Sequence, residues 1–424
     1  MTQARHTGFA RLSQKDVSLA VARHEMLYSG RAGGARASFA FCDLSGLNLA
    51  ERNLADADFT GAVLEEANLA GARMDSASFF GSDLRRCNLK GASLRRADLR
   101  GASLRGANLI GADLYEADFR EGAIAEKQRS GNLRLLQHEI GNTELPAAML
   151  NSANLQRAKM TGAMAVQADF TDAIMIGCCL TRANLRQAKL TGANLENADL
   201  SGCNLTGADL NGAILVGARL DLATTHGADL TKALLEHVEP DPAETARIEA
   251  LLDSHTRWAQ SDGREGAPAD LSGLDLRKVK HLSDRLLTAL IAPGAILYGV
   301  NFEGASLQGS NLAGADLRYS RLGGADLRGV NLSGAKLNHA DLHDTKLGPL
   351  MISQSRLLPA RLDNVEARYA DFRGADLRRI RIHGSDLAYA SLSDADLRDV
   401  DLTGVDMTGV KLPMPFAQGP PIPA

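Results

Sequence analysis

Large apolar residues recur at every fifth position over most of the chain. In DLRGASLRGANLIGADLYEADF (98–119) they are Leu99, Leu104, Leu109, Leu114 and Phe119. Such a step matches neither the turn of a helix, about 3.6 residues, nor the strict alternation of a flat strand. In an extended segment, alternate residues face the same way. The Ala that precedes each Leu therefore joins it in an interior, and the Asp, Asn or Ser between them faces out. The residue after the Leu is often charged and also faces out. Gly commonly follows, as at Gly101, Gly106 and Gly111, where a corner with positive φ is easiest. Each pentapeptide thus predicts a short straight side followed by a corner, and four sides would close a coil of twenty residues.

The positions of phenylalanine test that number. Phe39, Phe59, Phe79 and Phe119 all hold repeat centres at spacings that are multiples of twenty, with Leu99 in the remaining slot. A four-sided coil stacks them on one face, at the strand spacing of about 4.8 Å, whereas a three-sided coil would scatter them. Runs such as ADLRGASLRGANLIGADL resemble the pentapeptide-repeat family over most of the chain. That resemblance implies an all-β solenoid, a right-handed quadrilateral β-helix of bacterial type. Hexapeptide solenoids need a period of six and leucine-rich repeats an asymmetric LxxLxL frame, so both fit worse.

The register divides the chain. Residues 1–38 predict an N-terminal amphipathic helix, with Ser13 and Asp16 as a capping box and Val17, Ala20, Val21, His24, Leu27 and Tyr28 on one stripe. A first solenoid spans 39–235. Its phase holds to Ile124, breaks in AEKQRSGNLRL, and resumes one residue out of step at Leu135, Ile140 and Leu145. Residues 125–134 are therefore expected to form a small irregular excursion or bulge, for which one extra residue suffices, with a protruding recognition loop as the alternative. Residues 236–268 predict a linker and a second helix, with Asp241 as N-cap, Pro242 in the first turn, Gly263 beyond the end, and Ile248, Leu251, Leu252, His255, Trp258 and Ala259 on one face. A second solenoid covers 269–412. It slips by one residue through RKVKHL and keeps phase across GPLMISQSRLLPARLDNVEA. Residues 413–424 are a Pro-rich tail. The segments 23–49 and 254–276 match in order (helix, His, aromatic, Gly-Ala, DLSGL), which points to internal duplication. An amphipathic helix ahead of each solenoid would cover its open end, an aggregation hazard.

Composition narrows the function. Aromatics are only 4%, and the formal net charge is −4, which disfavours a general nucleic-acid or membrane-surface binder. The opening residues lack the apolar core of a secretory signal and no long apolar run is present, so a cytoplasmic location with no membrane span is expected. Cys42, Cys87, Cys178 and Cys203 occupy the position usually held by Ala and read as interior hydrophobes; Cys179 does not. Phosphate-binding, zinc-protease, nucleophile-elbow and CxxC motifs are absent. His343, Asp363 and His383 fall at multiples of twenty and predict a polar surface column. The first and last would stand two coils apart, about 9.6 Å, too far to share a metal. No catalytic, cofactor or metal site is expected.

Charge is the uneven feature. Residues 43–83 carry Asp43, Glu51, Asp56, Asp58, Glu65, Glu66, Asp75 and Asp83 against Arg52 and Arg73. The next coil then carries Arg85, Arg86, Lys90, Arg95, Arg96, Arg100 and Arg105 against Asp98. This basic girdle is the candidate partner-binding band, suited to an acidic partner. The expected function is a non-enzymatic protein-binding scaffold with no direct nucleic-acid contact. The resemblance implies an alternative, a DNA mimic that binds gyrase and protects it from quinolones, and a third, a translocated effector.

Overall fold

The computed structural model describes residues 9–122, 125–127, 133–135, 141–235, 242–277, 279, 282–353 and 356–413. Ser38, Asp43, Asn48 and Asn53 bridge in parallel to Asp58, Val63, Asn68 and Arg73, each twenty residues on. Each coil therefore has four short sides, and the repeats build a β-helical solenoid.

The backbone of Ala97–Gly101 explains the repeat's composition. Leu99 N–H donates to Asp118 C=O on the next coil at 2.8 Å, and Gly101 N–H to Arg120 C=O at 3.1 Å. Asp98 N–H reaches back to Ala77 C=O at 3.0 Å, and Ala97 N–H closes a corner onto Leu94 C=O at 3.0 Å. The ladder leaves one donor over, Arg100 N–H, and the Asp98 carboxylate accepts it at 3.2 Å. The residue before the buried Leu is Asp or Asn because its short side chain can turn to that remaining donor. The same bond recurs from Ala50 to Asn48, Ala70 to Asn68, Arg85 to Asp83 and Ile110 to Asn108. Inside, Ala97, Leu99, Ala107 and Leu109 are fully buried. Phe39, Phe59 and Phe79 stack with ring centroids 5.2 and 4.8 Å apart, the second pair nearly coplanar at 1°.

The chain divides into two compact units, Met1–Val238 and Glu239–Ala424. In the first, β1 (Ala10–Arg11) precedes α1 (Gln14–Tyr28), and β2 (Cys42–Asp43) lies in the first coil. The Ser13 hydroxyl accepts from Asp16 N–H, and the Asp16 carboxylate accepts from Ser13 N–H, the capping box that starts α1. The first coil has no coil before it, and this N-terminal segment supplies backbone partners around it. Ala37 N–H donates to His24 Nδ1 at 3.0 Å. β1 pairs in parallel with β2. Gln14 exchanges hydrogen bonds of 2.8 Å with both backbone groups of Asn48. Asn53 N–H donates to the Glu25 carboxylate at 3.3 Å. Val17 and Val21 join the same apolar cluster as Phe39 and Leu44.

In the second unit, α2 (Pro242–Gln260) puts Ile248 and Leu252 into a cluster with Leu271 and Leu276. Here Ala269 N–H donates to His255 Nδ1 at 3.0 Å, the counterpart of the His24 contact. Asp241, the expected N-cap, lies outside the described residues, as do most of 413–424. Asp270 and Asp275 bridge to residues 21 further on, and Leu286 to one twenty further on, so a single extra residue is absorbed near 277–282.

Two stretches depart from the sequence expectation. The first is an excursion far larger than a one-residue bulge. Asp118 bridges to Lys159, 41 residues on instead of twenty, and Phe119 is followed on its side by Met160. The chain leaves the solenoid as a hairpin: Gly122 bridges Gly141, and β3 (Ala125–Lys127) pairs antiparallel with β4 (Leu133–Leu135). Leu135 is thus a hairpin residue and not a repeat centre, while Ile124 and Ile140 lie outside the described residues. An insertion of 21 residues leaves the same remainder, counted in fives, as an insertion of one. The second is the stretch after Leu347. Asn331 bridges to Arg361, thirty residues on, because β5 (Leu350–Ser353) and β6 (Arg356–Leu358) form another hairpin. Ten looped-out residues are two whole repeats, so the count keeps phase while the structure does not. Ile352 and Leu357 sit at the counted centres yet are 52% and 45% exposed.

Phe59→Ala should destabilise the first unit by about 3–5 kcal/mol, since a ring held between stacked rings leaves a cavity its neighbours cannot fill. The exposed Glu66→Ala should change stability by less than about 0.5 kcal/mol. Urea unfolding of both variants checks this, and equal losses would contradict the stacked interior.

Burial holds the pKa of His24 and His255 below the ordinary histidine value, with backbone carbonyls opposing the shift only in part. The unfolded chain therefore takes up the proton first as pH falls. Stability from the two neutral imidazoles is complete above about pH 6.5 and is lost progressively below it. Unfolding curves at pH 7.5 and 5.5 should show this loss, and a His24→Asn/His255→Asn variant should flatten it. Asn retains an acceptor near Nδ1 but does not titrate.

Candidate functional site

The positions that face out from the coils are the ones beside and just after each buried centre. With the hairpin offsets known, each charged residue has an address. Arg85, Arg86 and Arg105 lie on the side that carries Leu84 and Leu104. Lys90 lies with Leu89, Arg95 and Arg96 with Leu94, and Arg100 with Leu99. The girdle is therefore a ring around one coil, and the structure does not bring its seven residues together on one surface.

Much of the ring is also neutralised within the protein. Arg85 pairs with Asp83 at 2.6 Å and Glu65 at 3.4 Å. Arg86 pairs with Glu65 at 2.6 Å and Glu66 at 2.9 Å, both on the preceding coil. Arg95 pairs with Asp113 at 2.8 Å and lies over the Tyr115 ring. Arg100 forks onto Asp98 through Nε and Nη2 at 2.9 and 2.7 Å and lies over Phe80. Acidic and basic coils stack on each other, so residues that look segregated in sequence compensate across a twenty-residue step. Among the described residues, Lys90, Arg96 and Arg105 have no ion-pair partner within 4.0 Å.

Two shallow hollows lie along the side of Leu99, Phe119, Met160 and Leu180. One, of about 550 Å³, is lined by Arg96, Ala97, Asp98, Arg100, Glu116, Asp118, Arg157 and Lys159. The other, of about 370 Å³, is lined by Arg100, Arg120, Glu121, Thr161, Gly162 and Arg182. Arg96 and Arg100 of the expected band belong here. Arg120, Arg157, Lys159 and Arg182 do too, although they are distant in sequence, because the looped-out hairpin brings residue 159 directly after residue 118. The hairpin base packs close by: a Cβ on Gly122 would stand 2.9 Å from Phe80 and 3.0 Å from the Arg100 backbone. Thr143 Oγ1 locks that base, accepting from Gly101 N–H at 3.1 Å. The sequence signal for this grouping was the one-residue phase slip, which marks an insertion without giving its length.

The histidine column does not form. His343 occupies a position equivalent to Arg373, and Asp363 one equivalent to His383, because Asp341 bridges to Asp371 and Arg361 to Arg381. The β5–β6 hairpin shifts the later residues by two sides and places His343 and His383 on opposite faces. The His343 ring contacts Asp341 at 2.6 Å, and this hydrogen bond raises its pKa. Among the described residues, no group of three or more His, Cys, Asp or Glu is placed to hold a metal. His24 and His255 stay buried under the helices, each with Nδ1 committed to a backbone N–H.

All five cysteines are free. Cys87, Cys178 and Cys203 are buried, Cys42 partly so, and burial pushes the Cys203 thiol up to about 12. Cys179 faces outward. Burial opposes its ionisation, but hydrogen bonds from the Thr161 and Thr181 side chains and the Thr181 N–H outweigh it and lower its pKa.

No described helix is long and apolar enough to cross a membrane. A family model for pentapeptide repeats matches the chain in eight copies, at residues 36–81, 82–120, 148–187, 188–224, 198–236, 295–334, 321–348 and 376–412, together well over half of its length. Among solved structures, the pentapeptide-repeat protein Rfr23 from the cyanobacterium Cyanothece is 29% identical, covering 31% of this chain and 90% of its own, with a TM-score of 0.27. HetL from the cyanobacterium Nostoc, involved in regulating heterocyst differentiation, is 22% identical over 93% of this chain and 96% of its own, with a TM-score of 0.12. QnrB1, a plasmid-mediated fluoroquinolone resistance protein, is 16% identical over 51% of this chain and 96% of its own, with a TM-score of 0.19. No curated protein matches the chain.

Proposed function

The chain belongs to the pentapeptide-repeat family, and from that premise we propose that it is a non-enzymatic scaffold that binds another protein through its outer faces. The observation that carries this reading is the filled interior. Ala and Leu side chains occupy it from coil to coil, fully buried, so recognition falls to the outward positions. Those positions form flat, charge-bearing sides held in fixed register by the ladder, which suits a surface-to-surface contact. In this reading α1 and α2 are caps. By meeting the first coil's free donors and covering its apolar end, they keep the solenoid from adding a strand from another molecule. A cytoplasmic location fits five free thiols without a disulfide.

The charge pattern favours this over DNA mimicry. Mimicry needs a dense single-signed field, and here acids and bases on neighbouring coils neutralise one another well within a Debye length of about 8 Å. Affinity capture with the full-length protein as bait should recover a protein partner, and micromolar protein should neither inhibit gyrase supercoiling nor protect it from a quinolone. Clear activity in the gyrase assays would overturn the scaffold reading in favour of mimicry.

A further inference from the structure

We propose that the side of the first unit running from Arg96 to Arg182 is a docking groove for an acidic segment of a partner protein. This rests on the scaffold reading and names the chemistry of the partner and where it sits. The two hollows meet at Arg100 and lie beside each other along neighbouring coils of the same side.

The groove differs from the rest of the basic girdle in how its charges are used. Asp98 and Asp118 are each gripped by the fork of a single arginine on the same side, Arg100 and Arg120, with Nη2 to Oδ2 distances of 2.7 Å in both. Those carboxylates are spent. Arg96, Lys159 and Arg182 lie exposed around them, and among the described residues none has a carboxylate within 4.0 Å. Arg157 stands 3.8 Å from Glu116, too far for a direct hydrogen bond, and is 70% exposed. The positive field is therefore left for something outside the chain. On the opposite corner, Arg86 is held by two glutamates and offers no such surplus.

Guanidinium groups favour planar carboxylates, to which they bond through paired donors. The groove also retains Glu116 and Glu121. A nucleic-acid backbone, with a phosphate at every step, would be repelled there. An extended peptide would not be, since its amide N–H groups and occasional cationic side chains can meet those glutamates while its own carboxylates meet Arg96, Lys159 and Arg182.

The test uses the full-length protein and a fluorescein-labelled ten-residue peptide of alternating Asp and Ser, followed by anisotropy at physiological salt. Arg96→Glu/Lys159→Glu/Arg182→Glu should weaken binding at least tenfold, and Arg86→Glu should leave it within twofold. The corner substitutions suit the backbone, because Arg96 and Arg182 have φ of 54° and 57° while Glu66 and Glu116 already occupy such corners at 60° and 58°. Circular dichroism confirms folding of each variant. The proposal is overturned if the wild-type protein does not bind the peptide, if the triple variant binds as the wild type does, if Arg86→Glu costs as much, or if a labelled ten-base-pair DNA duplex binds more tightly than the peptide. The same variant as bait separates the two readings: a partner captured equally by both proteins removes the groove and leaves the scaffold, and a partner lost only from the variant supports both.

Discussion

A side of five residues is too short to satisfy its own backbone, and the structure follows from how that shortage is met. Two N–H groups bond forward to the next coil, one bonds back, one closes the corner, and one is left to the Asp or Asn side chain beside it. Buried polar groups without partners are costly, so each coil requires a neighbour above and below. The first coil has one on a single side only. That constraint explains why an N-terminal segment as varied as β1, α1, Gln14, His24 and Glu25 converges on the backbone of Ala37, Asp43, Asn48 and Asn53 in one coil.

The same regularity decides what the surface can do. With Ala and Leu filling the inside, chemistry is confined to positions around each centre, and residues twenty apart become contact neighbours. Linear charge segregation therefore turns into cross-coil neutralisation, as Glu65 and Glu66 against Arg86 show. A patch survives only where several coils supply the same sign to one side and the intervening carboxylates are already bound, as along Arg96, Lys159 and Arg182.

Counting by five made the four-sided coil and the Phe39–Phe59–Phe79 stack legible, while cap residues and helical stripes marked both helices and placed His24 and His255 at matching positions in them. Counting by five is also blind to any insertion measured in fives. The β5–β6 hairpin left the phase intact, and the hairpin before Leu145 imitated a single extra residue, so the histidine column was drawn across a break and Lys159 was not recognised as a neighbour of Asp118. Arg96 and Arg100 were identified by local charge density. Arg157 and Arg182 carry no such signal, because their grouping exists only after the hairpin is removed from the count. The structural duty of the Asp or Asn beside each Leu was equally hidden, since it depends on which N–H the ladder leaves over.

The ladder also fixes how either unit would yield to mechanical load. Tension along the stacking direction does not shear many bonds at once; it opens the hydrogen bonds of the terminal coil and then those of the next, like a zip. Each ordinary coil that peels away frees twenty residues, about 70 Å of extended chain at roughly 3.5 Å per residue. The coil bearing the first hairpin frees 41 residues and the one bearing the second frees thirty. The hairpins thus act as slack stored at one fixed point in each unit, and each stack of coils would lengthen in even increments interrupted by a single longer one.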